Sequence, residues 1–163
     1  MNLRTQIFKI NRNMLDITNL KNLPKELRIS TMTATSRFNS EIDLKTLYDN
    51  LQINEMIIYV EFGNNPIKGE SRKRISKKKA IKKKVFFNQL TILIRVEDTY
   101  NNIKLFNNGS ISMTGVKSEK KAKIAINYLF QLIKDLNLFK PGIEPNIEYF
   151  NIVLINSDYD IGF

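Results

Sequence analysis

From Leu90 to Val96 the chain alternates with a two-residue period: Leu90, Ile92, Ile94 and Val96 share one parity, while Phe87, Gln89, Thr91, Leu93 and Arg95 share the other. Successive side chains of an extended strand point to opposite faces, so this pattern specifies a strand with one face in a core. The next segment repeats it, with Ile103 and Leu105 on one side and Lys104 and Phe106 on the other. Asn108-Gly109 supplies the turn, because glycine reaches the positive φ that tight hairpin turns require. On the return strand Ile111 and Met113 face the core, and Ser110, Ser112 and Thr114 face away. Whatever else the chain forms, it must accommodate an antiparallel hairpin whose outer face mixes aromatic, hydroxyl and cationic groups.

The remaining elements fall on either side of this hairpin. Residues 1–26 are polar and weakly patterned and read as an N-terminal extension or short helix. Leu27 to Thr35 is rich in Thr and β-branched residues and reads as a strand. Its parity is open: either Leu27, Ile29 and Thr31 or Arg28, Ser30 and Met32 lie on the outer face. Ser40-Glu-Ile-Asp43 has the spacing of a capping box, and Leu44, Leu47, Tyr48 and Leu51 then make one face of a short helix apolar. Met56 to Phe62 reads as a strand broken by Gly63-Asn-Asn-Pro66. Gly63 to Val85 reads as a long loop with room for a transient helix; loops of that length are uncommon unless functional or disordered. Ser118 to Asn137 carries Ala122, Ala125, Ile126, Leu129, Leu132, Ile133 and Leu136 at helical spacing, ahead of Pro141-Gly142. Ile147 to Asn156 is a last, strongly apolar strand.

This order places both helices on one face of an antiparallel sheet, leaving the outer face to Phe87, Gln89, Thr91, Leu93, Arg95, Lys104, Phe106, Ser112 and Thr114. Such a mixture suits a DNA minor groove, where apolar wedges unstack base steps, hydroxyls fit the floor and cations meet phosphate. The alternative is that Phe87 and Phe106 fill a second core against the N-terminal extension.

Charge and composition narrow the function. The chain of 163 residues has neither Cys nor His, which excludes Cys/His zinc sites, disulfides, thiol nucleophiles and imidazole bases. Asp158-Tyr-Asp160, the nearest approach to a carboxylate metal site, reads better as a polar turn, so neither metal nor cofactor nor enzymatic activity is expected. There is no apolar run of about eighteen residues and no secretory leader, so a soluble, unsecreted protein without membrane contact is expected. The net charge of +10 is local: residues 72–84 hold Arg72, Lys73, Arg74, Lys77, Lys78, Lys79, Lys82, Lys83 and Lys84 and no acid. A dense basic run reads as a polyanion contact, as an import signal or as a solvated loop.

Four stretches carry a family resemblance: Ile29-Ser-Thr-Met-Thr-Ala-Thr35, Ile42-Asp-Leu-Lys-Thr46, Leu105-Phe-Asn-Asn-Gly109 and Met113-Thr-Gly-Val-Lys-Ser-Glu119. With the order of elements, they resemble one repeat of the TATA-box-binding proteins, most closely the versions in large DNA viruses. The F-x-x-G followed by T-G-x-K-S-E is the specific part, and the resemblance covers residues 27 to 156. It implies an α+β half-saddle: a curved antiparallel sheet with two helices on the convex face, in the order β-α-β-β-β-β-α, then the first strand of a second repeat. On this division residues 27–140 are the repeat, 63–85 its basic insertion loop at the stirrup, and 141–163 a linker and the start of an incomplete second repeat.

The resemblance implies a transcription initiation factor that binds and bends double-stranded promoter DNA. Phe106 matches the wedge before the hairpin turn, and Phe87 is the better match to its partner, with Phe86 the competing choice. Arg95 and Lys117 match phosphate-contacting positions, Thr114 the groove-floor threonine, and Asn151 a central asparagine. Lys104 and Ser112 stand where the family usually has apolar groove residues. Arg72, Arg74, Lys77, Lys78, Lys79, Lys82, Lys83 and Lys84 would add electrostatic affinity. Transcription factors or RNA polymerase subunits would meet the helical face, a homodimer would rebuild a saddle, and the protein would act in the host nucleus or a cytoplasmic viral factory. Two rivals remain: a protein-interaction module of a viral transcription machinery with only nonspecific DNA affinity, and an accessory nucleic-acid domain of a glycosylase or ribonuclease.

Overall fold

The computed structural model describes residues 27–70 and 86–159. Its elements are β1 (Leu27–Phe38), α1 (Leu44–Asn50), β2 (Ile57–Phe62), β3 (Lys68–Gly69), β4 (Gln89–Val96), β5 (Thr99–Phe106), β6 (Ser110–Val116), α2 (Glu119–Asp135) and β7 (Ile147–Tyr159). The strands form one open antiparallel sheet in the order β3-β2-β4-β5-β6-β1-β7. This is the expected α+β architecture with one addition, the two-residue edge strand β3.

The two-residue period is the reason this sheet has a core face. Leu90, Ile92, Ile94, Val96, Ile103, Leu105, Ile111 and Met113 are all buried, in one cluster with Leu44, Leu47, Tyr48 and Leu51 of the α1 segment and Ala122, Ala125, Ile126, Leu129 and Ile133 of α2. Both helices therefore cover the same side of the sheet. Each buried large aliphatic side chain contributes about 1.5–3 kcal/mol, so this face dominates the stability.

Two expectations about α1 and the following loop are corrected. Asp43, not Ser40, caps α1, accepting hydrogen bonds from the Lys45 and Thr46 amides at 3.0 and 3.1 Å and from the Thr46 hydroxyl at 2.7 Å. The helix cannot begin earlier because Ile42 is held extended, bridged to Phe139 and donating its amide to the Asn107 carbonyl at 2.8 Å. Ser40 is buried and accepts the Lys140 amide at 2.9 Å, tying the segment after α2 to the start of α1. The Gly63–Val85 region is not loop throughout, since β3 pairs with Tyr59 and Val60 of β2. Lys68 of β3 reaches α1, where its ammonium donates to the carbonyls of Tyr48, Asp49 and Leu51 at 2.6, 3.2 and 2.9 Å. These are orphan carbonyls at a helix C-terminus, where a cation is favoured.

α2 runs as its periodicity requires, with Ser118 as N-cap. β7 is longer than its apolar run and pairs with β1 from Leu27↔Tyr159 to Phe38↔Ile147. Asp158 accordingly lies in a strand, opposite Arg28, and not in a turn. Residues 1–26, 71–85 and 160–163 lie outside the described residues, and with them the N-terminal extension, the transient helix and Asp160.

Candidate nucleic-acid interface

The face opposite the helices is built by strand register. In β1, Ala34, Ser36 and Phe38 are fully buried and Met32 packs on the core, which places Thr31, Thr33, Thr35 and Arg37 on the helix-free face. The open question of parity is thereby answered around residues 31 to 38. The sequence alone left it open because neither parity of Leu27 to Thr35 is clearly the more apolar; separately, β6 loses register on β1 between Met32 and Ala34. There Thr114 and Gly115 separate two core residues, Met113 and Val116, by three positions instead of two, and Gly115 takes φ 72°. A bulge of this kind flips the inside–outside alternation.

Phe106 ends β5 on this face and is half-buried. The hairpin beyond it has a three-residue connection, Asn107 to Gly109, closed by the Gly109 amide on the Phe106 carbonyl at 3.0 Å. Gly109 carries φ 81°, whereas Asn108 is not left-handed, so a type I turn with a glycine bulge fits better than the two-residue turn expected. A Cβ on Gly109 would lie 2.4 Å from the Phe38 carbonyl oxygen and 2.6 Å from that of Ser40. Glycine is required here on two counts, backbone conformation and space.

The structure separates Phe87 from the position expected of it. β4 begins at Gln89, and Gln89 is the residue directly across the ladder from Phe106. Phe87 precedes the strand, 67 % exposed, with its ring against Gly63, where an added Cβ would be 3.1 Å from Phe87 Cδ1. It is thus not part of a second core among the described residues. Phe86 is also exposed, at 50 %.

Arg95 is exposed on the same face and its Nε donates to the Glu97 carbonyl at 3.0 Å, folding the guanidinium toward its own hairpin turn. Glu97 is left-handed at φ 54°. Lys121 of α2 holds that turn, pairing with Glu97 at 2.8 Å and with Asp98. The hydrogen bond from Lys121 holds the Asp98 carboxyl below its usual range, and the same bond raises the lysine. Lys117 is exposed just before α2, and Thr114 is exposed and bonded to Asn102 at 3.0 Å. The basic residues Arg72, Arg74, Lys77, Lys78, Lys79, Lys82, Lys83 and Lys84 fall outside the described residues.

Lys104 and Ser112 are brought together with Thr91 and Asn151, and with Glu61 and Thr35, to which the sequence assigned no role. The registers Glu61↔Thr91, Thr91↔Lys104, Lys104↔Ser112, Ser112↔Thr35 and Thr35↔Asn151 form one row across six strands. Every member has a hydrogen-bonding side chain. At the outer end Glu61 accepts from the Tyr59 hydroxyl at 2.8 Å; burial first, and then this bond to a carboxylate, push the phenol's pKa up. No group of three or more acids capable of holding a metal exists among the described residues, nor is any of their helices long and apolar enough to cross a membrane.

The chain is similar to known proteins at three levels. The model of "Transcription factor TFIID (or TATA-binding protein, TBP)" matches residues 73–136. A protein of Acanthamoeba polyphaga mimivirus described as TATA-box-binding protein-like is 31 % identical over 154 residues, covering 84 % of this chain and 42 % of its own length. The chain therefore spans about two fifths of that relative. Methanococcus jannaschii TBP aligns with 75 % of the chain and 53 % of its own, at 20 % identity and a TM-score of 0.45. The family match over residues 73–136 and the viral relative together support a TATA-box-binding-protein-like family protein.

Proposed function

We propose that this protein is a DNA-binding transcription initiation factor that seats the minor groove of promoter DNA on its helix-free face and bends it. The observation that carries the reading is the placement of Phe106: it closes β5 on a face of hydroxyl, amide and cationic groups, beside a turn fixed by Gly109. Inserted at a base step, its ring costs a few kcal/mol of unstacking, offset by contacts that only bent DNA makes. Phe87, exposed and outside the strand, is a second wedge that closes on DNA from Gly63. Arg95 and Lys117 pair with phosphate, and Thr114 meets the groove floor. The basic residues from Arg72 to Lys84 add sequence-independent, salt-sensitive affinity.

Residues 27–140 act as one repeat, and β7 is the opening strand of a second. Its second edge, unpaired among the described residues, accepts further sheet, from the same chain or from a partner copy. The helical side engages transcription factors or polymerase subunits, in the host nucleus or a viral factory. No catalytic role is assigned.

Fluorescence bending measurements on an end-labelled duplex test the wedge. Phe106→Ala should reduce bending while leaving salt-dependent retention nearly intact, and neutralising Lys77, Lys78 and Lys79 should do the reverse. Full bending by Phe106→Ala would remove Phe106 from the mechanism.

A further inference from the structure

The six-strand row has an uneven distribution of hydrogen bonds. The two members at its β2 end are engaged within the protein: Glu61 accepts from Tyr59 at 2.8 Å, and Thr91 from the Gln89 amide at 3.2 Å. Other residues of these strands are engaged too, Thr114 with Asn102 beside the row at 3.0 Å and Thr31 with Asn156 farther along β1 at 3.1 Å. Lys104, Ser112, Thr35 and Asn151, consecutive in the row, have no side-chain hydrogen bond among the described residues. Adjacent strands lie about 4.8 Å apart, so these four present an unspent set of donors and acceptors over about 14 Å.

From that row we infer that the protein accepts G·C pairs in the groove it binds, with Ser112, Thr35 and Asn151 receiving the guanine 2-amino group; this rests on the minor-groove reading above. Every base pair offers acceptors to the minor groove, purine N3 and pyrimidine O2, and G·C alone adds a donor, the guanine N2 amine. An apolar floor rejects that amine because it strips the donor of water and returns nothing. A hydroxyl or amide oxygen replaces the lost water. The Lys104 ammonium has three donors and no acceptor, so it serves the acceptors common to all pairs and confers affinity without selectivity.

The test uses the full chain and one duplex framework in three versions: A·T, G·C, and I·C, in which inosine lacks only the 2-amino group. The wild-type protein should bind G·C and I·C within about threefold of each other. Thr35→Val with Ser112→Ala removes both hydroxyls from half-buried sites where neither has an internal bond, and should weaken G·C by on the order of tenfold while leaving I·C unchanged. Thr35→Ser with Ser112→Thr keeps the acceptors and should retain G·C binding. Lys104→Met should weaken all three duplexes alike. Wild-type preference for I·C over G·C beyond tenfold, or equal losses on both duplexes in the double variant, overturns the inference. A minor-groove-filling polyamide on the A·T duplex separates the two levels of the argument. Displacement of the protein together with rejection of G·C refutes the inference alone, whereas failure to displace refutes the groove reading and the inference with it.

Discussion

Gly109 and Gly115 are both left-handed, at φ 81° and 72°, yet substitution should affect them very differently. A Cβ at Gly115 meets nothing within 4 Å, so Gly115→Ala costs the conformational penalty alone, about 1–2 kcal/mol for an L-residue in the left-handed region. At Gly109 the same penalty is joined by contacts of 2.4 and 2.6 Å with two backbone carbonyl oxygens. Neither carbonyl can turn aside like a side chain, so the Gly109 backbone must move. That movement strains the hydrogen bonds from the Phe38 amide to the Gly109 carbonyl, 2.9 Å, and from the Gly109 amide to the Phe106 carbonyl, 3.0 Å. Each is worth about 0.5–1.5 kcal/mol, which brings Gly109→Ala to a loss of about 3 kcal/mol or more. Urea unfolding followed by far-UV circular dichroism, extrapolated linearly to water, measures both variants. Equal losses, within about 0.5 kcal/mol, would refute the argument that packing against Phe38 and Ser40 demands glycine at the hairpin tip.

Two further outcomes follow from side-chain geometry. Lys68→Met should destabilise the protein by about 1–2 kcal/mol, through loss of a charged donor to two α1 carbonyls and that of its C-cap Leu51, and should speed amide exchange in α1; unchanged exchange there would refute the capping role. The Thr46 hydroxyl and amide, with the Lys45 amide, hold the Asp43 carboxyl below its ordinary value. Its folded pKa is thus lower than its unfolded one, so its contribution is present at neutral pH and is lost as pH falls below about 4 through the folded pKa. Asp43→Asn keeps a capping oxygen and should flatten that part of the acid-stability profile, whereas Asp43→Ala should cost about 1 kcal/mol at neutral pH.

The parts of this molecule legible in its sequence are those set by local period. The alternation at Leu90 to Val96, its repetition through Met113, and the helical spacing from Ala122 to Ile133 each specify a face without reference to anything distant. What escaped depends on contacts made across the fold. Ser40 has the right spacing for a cap, but Phe139 and Asn107 hold Ile42 extended, and the cap moves to Asp43. Lys68 falls inside the segment read as a loop, Gly63 to Val85, until β3 pairs with β2 and carries it to α1. A two-residue strand has no period to read. The pairing of Phe106 with Gln89 is fixed by the Glu97-Asp98 turn, which sets the register of β4 on β5. The outward threonines of β1 escaped because neither parity of Leu27 to Thr35 is clearly the more apolar, and so the row through Thr35, Ser112 and Asn151 emerges only from packing and strand order.

The central claim is that the helix-free face binds DNA through its minor groove. Affinity for one duplex in three forms tests it: unmodified, blocked in the minor groove by a bulky adduct on guanine N2, and blocked in the major groove by glucosylated 5-hydroxymethylcytosine. The minor-groove adduct should abolish bending and leave only salt-sensitive retention, and the major-groove modification should change neither. Loss of bending on the glucosylated duplex, with full bending on the N2 adduct, would contradict the account.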